Sequence, residues 1–278
     1  MSVSQADSKP RLISAAIWGA VIGTLGGLIG LGGAEFRLPV LIGVFQFAAL
    51  EAVILNKAMS LVVVAFALPF RLPLVPFTDM AAHWPVVVNL LAGTLLGAWF
   101  GASWATQLTS RTLYRIIAVL LLAVAAVLML GHGSTGSHLP LFNGVAQTIV
   151  GVGAGLVIGA IASLLGVAGG EFLIPTLVLL FGIDIKLAGS LSLAVSLPTM
   201  LIGFARYSRD KSFVVLRRNL SMVASMAAGS IVGAFIGGLL LGTVPSGVLL
   251  PLLAAILILS SFKVWHHSRS PAGLFQGS

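Results

Sequence analysis

The charged residues that could do chemistry in this chain lie inside two glycine-rich motifs that are 136 positions apart. The segment 30–39, GLGGAEFRLP, aligns with the segment 166–175, GVAGGEFLIP. Each motif carries one carboxylate, Glu35 or Glu171, but only the first carries a base, Arg37, because Leu173 stands at the equivalent position. Carboxylates can bind protons or complement a helix N-terminus, and a guanidinium can hold an oxyanion. The pattern predicts a duplicated site whose two copies are not chemically identical.

The composition places these motifs inside a membrane protein. Of the 278 residues, 58% are hydrophobic and 8% are charged, and the mean hydropathy is +1.12. A soluble domain needs more surface charge, and apolar runs of about twenty residues recur along the chain. Stripes of small residues at 93–101 and 229–237 predict close helix packing. We therefore expect a polytopic protein whose main partner is the lipid bilayer.

The glycines predict a break between two helices in each half, because they adopt backbone conformations closed to other residues and leave room for a ligand. The helix restarting at each glutamate would point free N–H groups and a partial positive charge into the break, which favours an anion. Alternatively, the glycines only permit close helix crossing. The predicted contacts are Gly30, Gly32, Gly33, Ala34, Glu35 and Arg37 in the first motif, and Gly166, Gly169, Gly170 and Glu171 in the second.

Three roles are open for the two glutamates: capping free amides of the first helical turn, binding a proton, or pairing with a base such as Arg37. Arg37 itself either faces the site and holds an oxyanion or extends to the membrane interface as an anchor. Because Glu171 has no base in its own motif, we expect Glu171 rather than Glu35 to bind the proton.

A second group of polar residues stands at the head of the third segment of each half. Hydroxyls, an amide and one ammonium there could complete the hydrogen-bond shell of an anion. Alternatively, the serines bond the backbone of their own helix. The residues are Asn56, Lys57 and Ser60 in the first half, and Ser190, Ser192 and Ser196 in the second.

Other functional classes lack the residues that they need. The chain has no cysteine, and neither the pair His132 and His138 nor the pair His266 and His267 has a carboxylate at metal-ligand spacing, so no cofactor or metal is predicted. It contains no G-x-x-x-x-G-K-[ST] loop, and Ser103 has no base to activate it, so no enzyme activity is predicted. The net charge of +8 is dispersed over short loops, which indicates topology signals rather than nucleic-acid binding.

The hydrophobic pattern predicts ten helical segments, five in each half. They fall near 12–30, 35–47, 51–70, 84–107 and 112–131, and near 146–166, 171–183, 187–206, 218–241 and 246–265. The second segment of each half is too short to cross a membrane about 30 Å thick, so it forms a broken or re-entrant pair with the first. The predicted divisions are a first transmembrane repeat (12–131), an outer linker (132–145), a second repeat (146–265) and a cytoplasmic tail (266–278) whose last five residues resemble a protease-site remnant.

Basic residues predict the orientation. If the N terminus is cytoplasmic and the chain reverses at every segment, only Arg71 and Lys186 fall outside and Arg37 stays at the motif, while the other basic residues fall inside. Five reversals per half make the copies face opposite ways. The predicted fold class is therefore an all-α polytopic membrane protein with two inverted-topology repeats, multi-pass in a bacterial inner membrane, with both termini cytoplasmic. The glycine-rich helix faces suggest a homodimer.

The paired motif with its Pro39 and Pro175 endings, the two-fold repeat and the length resemble the TauE/SafE sulfite exporter family, also called the toluene-sulfonate uptake permease family. The resemblance covers about 13–264 and implies an inner-membrane carrier of small sulfur-containing anions, such as sulfite, thiosulfate, sulfoacetate or another organosulfonate. Ala34 stands where members often continue the glycine run, and Glu35 and Arg37 stand where many carry apolar residues. The expected function is secondary transport by alternating access; the alternative is an anion channel or a transporter of a non-sulfur organic anion.

Overall fold

The structure is a computed structural model that describes residues 9–29, 33–71, 77–130, 143–240 and 246–267. The described residues form α-helices and one 3-10 turn, with no strand among them, so the predicted all-α class is confirmed. The first half contains α1 (Lys9–Ile29), α2 (Ala34–Gly43), α3 (Ala49–Arg71), α4 (Phe77–Ala82), α5 (Trp84–Gln107) and α6 (Ser110–Leu130). The second half contains α7 (Gly144–Leu165), α8 (Gly170–Phe181), α9 (Ile185–Tyr207), α10 (Val214–Arg218), α11 (Leu220–Leu239) and α12 (Ser246–His267).

The ten predicted segments correspond to ten of these helices, with boundaries that differ by at most four residues. The helices α4 and α10 and the 3-10 turn Lys211–Phe213 were not predicted, because elements of three to six residues are too short to show a hydrophobic period. In the 3-10 turn, Asp210 accepts a hydrogen bond of 2.8 Å from the backbone N–H of Ser212.

Five helices of the described part of the chain are long and apolar enough to cross a membrane. Their apolar spans are Ala49–Phe66, Trp84–Gln107, Gly144–Leu165, Leu187–Tyr207 and Leu220–Gly237. The helices α2 and α8 have only 10 and 12 residues, which at about 1.5 Å per residue cannot cross the hydrocarbon core. The chain is therefore a polytopic membrane protein, and α2 and α8 are too short to be among its spanning helices.

Left-handed glycines mark the two helix breaks. Gly33 has a φ of 71°, and Gly166 and Gly169 have φ values of 66° and 83°. Residues with a Cβ avoid this region, so glycine lets each chain turn sharply before the short helix starts. Gly30 and Gly32 lie outside the described residues, so the first break is described only from Gly33 onwards.

Each half packs one of its helices against a helix of the other half. Helix α1 packs on α11, and α7 packs on α5, so the first helix of each half crosses the fifth helix of the other half. Glycines line both crossings: a Cβ at Gly19 would fall on the carbonyl of Met226, and a Cβ at Gly97 would fall on the carbonyl of Leu156. The predicted packing role of the small-residue stripes is confirmed. Because these faces pack within the chain, they no longer argue for a homodimer.

The centre of the molecule is formed by α3 and α9, which contact each other. The apolar spans of these helices are 67% and 56% buried, against 39–44% for the other three spans. Large apolar side chains such as Phe100, Ile149 and Phe235 stay exposed on the outer helices, as expected for a surface that faces lipid. The central pair positions the polar residues of the site.

Candidate functional site

Four charged side chains are buried in the centre of the molecule: Glu35, Arg37, Lys57 and Glu171, which are 1%, 0%, 0% and 4% exposed. Among the side chains that the structure describes, no other charged group is buried. Charges inside a membrane protein are costly and usually mark functional positions. We therefore build the candidate site from these four groups.

Arg37, on α2, donates three hydrogen bonds. Its Nη1 lies 3.4 Å from Oδ1 of Asn56 and 3.2 Å from the hydroxyl of Ser60, and its Nη2 lies 3.3 Å from the hydroxyl of Ser230. Its Nε has no hydrogen-bond partner. Arg37 therefore does not extend to the membrane interface, and its Nε is buried and unpaired.

Asn56, on α3, joins the two helix breaks. Its Nδ2 donates at 3.0 Å both to the carbonyl of Ala34, at the start of α2, and to the carbonyl of Leu165, at the end of α7. The second break also packs directly on α3, because a Cβ at Gly166 would meet the backbone of Val53 and Lys57. The two glycine motifs, far apart in sequence, therefore meet at one place on α3.

Lys57 lies at the carbonyl end of α7. Its ammonium lies 3.4 Å from the carbonyl of Ala162 and 3.2 Å from the hydroxyl of Ser163, which in turn donates to the carbonyl of Ala98 at 3.0 Å. The C-terminus of a helix carries partial negative charge, so the ammonium is favourably placed there. Gly203 of α9 makes room for it: a Cβ at this position would lie 2.8 Å from Cε of Lys57.

The carboxyl groups of Glu35 and Glu171 lie close enough to interact with each other. Each stands in the first turn of its short helix, near its own backbone N–H, yet none of the four oxygens has a hydrogen bond of proper geometry. Glu35 is within electrostatic range of Arg37 but forms no ion pair with it, because the guanidinium is turned to Asn56, Ser60 and Ser230. The sequence left three roles open for the glutamates, and the structure does not support one of them, the ion pair with Arg37.

The sequence led us to expect that Glu171 alone would bind the proton, because its motif has no base. The geometry of the site bears on that expectation too. Glu171 lacks a base in its own motif, as the sequence shows, but its neighbour is Glu35 from the other motif. Sequence reasoning treated the two motifs separately, and their contact could not be read from spacing within either one. The two carboxyl groups must be considered as one pair.

The hydroxyls of the second half have mixed roles. Ser196 donates at 2.8 Å to the carbonyl of Ala168 in the second break, whereas Ser192 donates at 2.8 Å to Gly189 of its own helix. Ser190 is buried without a hydrogen-bond partner. The alternative of bonding to the helix backbone therefore describes Ser192 but not Ser196.

The glycines of the breaks pack against protein rather than leave space beside the backbone. A Cβ at Gly33 would lie 2.5 Å from the carbonyl of Ile22 on α1, and a Cβ at Gly169 would lie 3.2 Å from the Cβ of Ala162 on α7. Close crossing therefore accounts for Gly33 better than room for a ligand does. Ala34 and Gly170, which begin α2 and α8, are buried beside these contacts.

Sequence reasoning missed Ser230, Ser163 and the pair Thr94–Thr199. The hydroxyl of Thr199 donates to that of Thr94 at 2.8 Å, and Thr94 is the repeat counterpart of Ser230. The signal was present, since Thr94 and Ser230 are hydroxyl residues at equivalent places in stripes of glycine and alanine. They were passed over because the stripes were interpreted as packing surfaces only.

A groove of about 600 Å³ lies elsewhere, between α7 and α8, and most of its lining is apolar. Val157, Phe172 and Pro175 are among its lining residues, and none of the four buried charged groups lines it. The groove therefore does not belong to the candidate site.

Fold and site together define a polytopic membrane protein with a buried polar centre where two broken helices meet. The chain belongs to the family described as sulfite exporter TauE/SafE, whose family model matches residues 15–264. This is a family of membrane transporters, as the resemblance implied. No curated protein and no solved structure matches the chain in the other two comparisons.

Proposed function

We propose that this protein is a secondary transporter that moves a small sulfur-containing anion, such as sulfite, thiosulfate or an organosulfonate like sulfoacetate, across a bacterial inner membrane. The observation that carries the proposal is the meeting of two broken helices at a buried centre that contains Arg37 and Lys57. Two buried cations and two helix N-termini supply positive potential in a centre that also holds the carboxyl groups of Glu35 and Glu171. Duplicated units with broken helices are typical of secondary transporters, whose sites lie near the membrane midplane.

The proposed mechanism is alternating access between two inverted halves. Contacts at one face of the molecule support the inversion: Arg11 lies over the ring of Phe47, the hydroxyl of Tyr114 donates to the carbonyl of Phe47, and Arg115 lies over the ring of Trp265. These contacts bring the starts of α1, α3 and α6 to the face where α12 ends. Since α12 is the repeat counterpart of α6, the two helices run in opposite directions, as inversion requires.

A second set of contacts supports the same arrangement. Arg206 and Arg209, at and after the end of α9, lie over the ring of Trp99 in the last turns of α5. Because α5 ends two residues before α6 starts, α9 ends on the face where α3 and α6 start. Arginine and tryptophan are enriched at membrane interfaces, and the basic residues gathered here favour a cytoplasmic face. We therefore propose that both termini are cytoplasmic.

Transport by purified protein in proteoliposomes tests the function. Vesicles preloaded with unlabelled sulfite, thiosulfate, sulfoacetate or taurine are diluted into medium with the same compound in radiolabelled form. A carrier gives transient accumulation of label driven by exchange, whereas an anion channel only equilibrates it. Counterflow with one of the sulfur-containing anions is expected. Counterflow only with anions that lack sulfur, or equilibration without counterflow, would contradict the proposal in favour of the corresponding alternative.

A further inference from the structure

The carboxyl pair Glu35–Glu171 is buried without a donor that satisfies it. All four oxygens lack a hydrogen-bond partner in the described part of the chain, although buried polar groups are nearly always paired. An unsatisfied carboxylate is costly in an apolar interior, and two facing carboxylates also repel each other. The pair therefore requires a positively charged occupant between its members or close to them.

The surroundings favour a proton over a metal cation. The short helices α2 and α8 both begin at the pair, and their N-termini carry partial positive charge, which opposes a metal ion. The described residues contain no group of three or more histidine, cysteine, aspartate or glutamate side chains that could hold a metal. A single proton between two carboxyl groups removes their repulsion and completes a hydrogen bond, and it needs no further ligand.

The other titratable groups near the pair are already engaged or lie at helix ends. Arg37 is in electrostatic range but bonded to Asn56, Ser60 and Ser230, and Lys57 of α3 is bonded to the end of α7. Lys263 of α12 lies beside Gly43, at the opposite end of α2 from the pair. The remaining titratable groups on elements packed here stand near helix ends: Lys9 and Arg11 on α1, Glu51 and Arg71 on α3, Arg111, Tyr114 and Arg115 on α6, Lys186, Arg206 and Tyr207 on α9, and His266 and His267 on α12; α7 carries none.

We propose that Glu35 and Glu171 hold one proton between them and that this proton crosses the membrane together with the anion. The inference rests on the proposed transport function and adds its coupling ion. One carboxyl stands on α2 and the other on α8, so a movement of one short helix against the other changes their separation and with it the hold on the proton. The pair is therefore placed to link proton binding to alternating access.

Charge balance explains why proton and anion would travel together. With one proton on the pair, the four buried groups carry a net charge of +1, from two cations and one carboxylate; without it they carry none. The loaded proton therefore strengthens the attraction for an anion, and by thermodynamic reciprocity the anion strengthens the hold on the proton. Anion binding is expected to weaken as the pH rises and the pair loses its proton.

The test measures proton movement and anion movement in the same proteoliposomes, which contain a trapped pH-sensitive dye. Radiolabelled thiosulfate is the first probe because, unlike sulfite, it does not change its own charge around neutral pH; another anion that gives counterflow replaces it if thiosulfate gives none. In the wild-type protein an inwardly directed proton gradient is expected to drive accumulation of the anion, accompanied by dye acidification. In Glu35→Gln and Glu171→Gln, the remaining anion flux is expected to depend less on pH than in the wild-type protein. The proton flux per anion is expected to fall at least about tenfold.

Glu51→Gln is the matched control, because Glu51 also stands in the first turn of a helix but lies outside the buried site. It is expected to keep the wild-type ratio of proton to anion. If either site variant has no measurable flux, the pH dependence of its stabilisation by thiosulfate in detergent is measured instead, and it is expected to be weaker than in the wild-type protein.

Anion counterflow that is neither driven by a proton gradient nor accompanied by proton movement would overturn this inference while leaving the proposed function intact. Retained proton coupling, or a retained pH dependence of stabilisation, in both glutamate variants would also overturn it. Absence of counterflow with every anion would instead reject the proposed function.

Discussion

Individual residues show that the two halves of the site are chemically unequal. Arg37 and Lys57 are both fully buried in the first half, while their repeat counterparts are Leu173 and Leu193. The hydroxyls around Arg37 have counterparts in the second half, since Ser60 corresponds to Ser196 and Ser230 to Thr94. The duplication therefore supplied two polar shells, and only one of them holds a guanidinium.

Gly203 allows a residue-scale prediction about Lys57. In Gly203→Ala, the new methyl group lies 2.8 Å from Cε of Lys57 and from Oγ of Ser163, and 2.9 Å from Nζ of Lys57, so the contact between the ammonium and Ser163 must shift. If this charge helps to hold the anion, affinity should fall roughly tenfold, or about 1.4 kcal/mol, as measured by anion-dependent thermal stabilisation. Gly153→Ala in α7 is the control, because no atom lies within 4 Å of the added Cβ. Equal affinities in the two variants would mean that Lys57 only stabilises the helix end.

At the scale of elements, the helix breaks are the feature that the sequence predicted best. Glycines next to a glutamate indicated where α1 and α7 end and where the short helices begin, since glycine alone adopts a positive φ without strain. The contact between the two breaks could not be predicted in the same way. It depends on Asn56, whose amide reaches Ala34 and Leu165, and no local pattern reveals a bond across 109 positions.

Alanine substitutions at three glycines with positive φ distinguish the cost of backbone strain from the cost of lost packing. Alanine at Gly144 adds strain only, because nothing lies within 4 Å of its Cβ, whereas at Gly169 the Cβ also meets Ala162 at 3.2 Å. At Gly33 the Cβ lies 2.5 Å from the backbone carbonyl of Ile22, so α1 must move. We expect Gly144→Ala to lose about 1–2 kcal/mol of unfolding free energy, Gly169→Ala slightly more, and Gly33→Ala the most. Denaturant unfolding in micelles measures this order. Equal losses at all three positions would mean that the close contacts at Gly33 and Gly169 add nothing to the cost of backbone strain.

At the scale of the whole molecule, the exchange of α1 and α7 between the halves makes one interlocked body. The sequence predicted the small-residue stripes and their packing role, but it did not indicate that each stripe faces the opposite half. Helix pairing is decided by the shapes of both surfaces, and the glycine pattern describes only one of them. For the same reason the stripes, which pack within the chain, give no support to the predicted homodimer, and that prediction stays a prediction.

The inverted arrangement gives a prediction that needs no substrate. The chain contains no cysteine, so single cysteines at Ser134 and Ser212 can be labelled with a membrane-impermeant maleimide in intact cells. Ser134 should react from outside, and Ser212, beside the basic end of α9, should react only after the cells are opened. Reaction of both from the same side would refute the inverted topology. A cysteine at Ser208 provides a second reporter for the inner face.

Anion counterflow in Arg37→Leu tests the central claim, that the buried centre where the two breaks meet carries the anion. Leucine is the residue that the second half uses at this position, and the change removes the guanidinium whose Nε is free. Arg111→Leu, at an exposed position, is the control for loss of a positive charge. Counterflow should fall at least about a hundredfold in folded Arg37→Leu protein and stay near the wild-type rate in Arg111→Leu. Counterflow at the wild-type rate in Arg37→Leu would mean that the anion passes elsewhere and would contradict this claim.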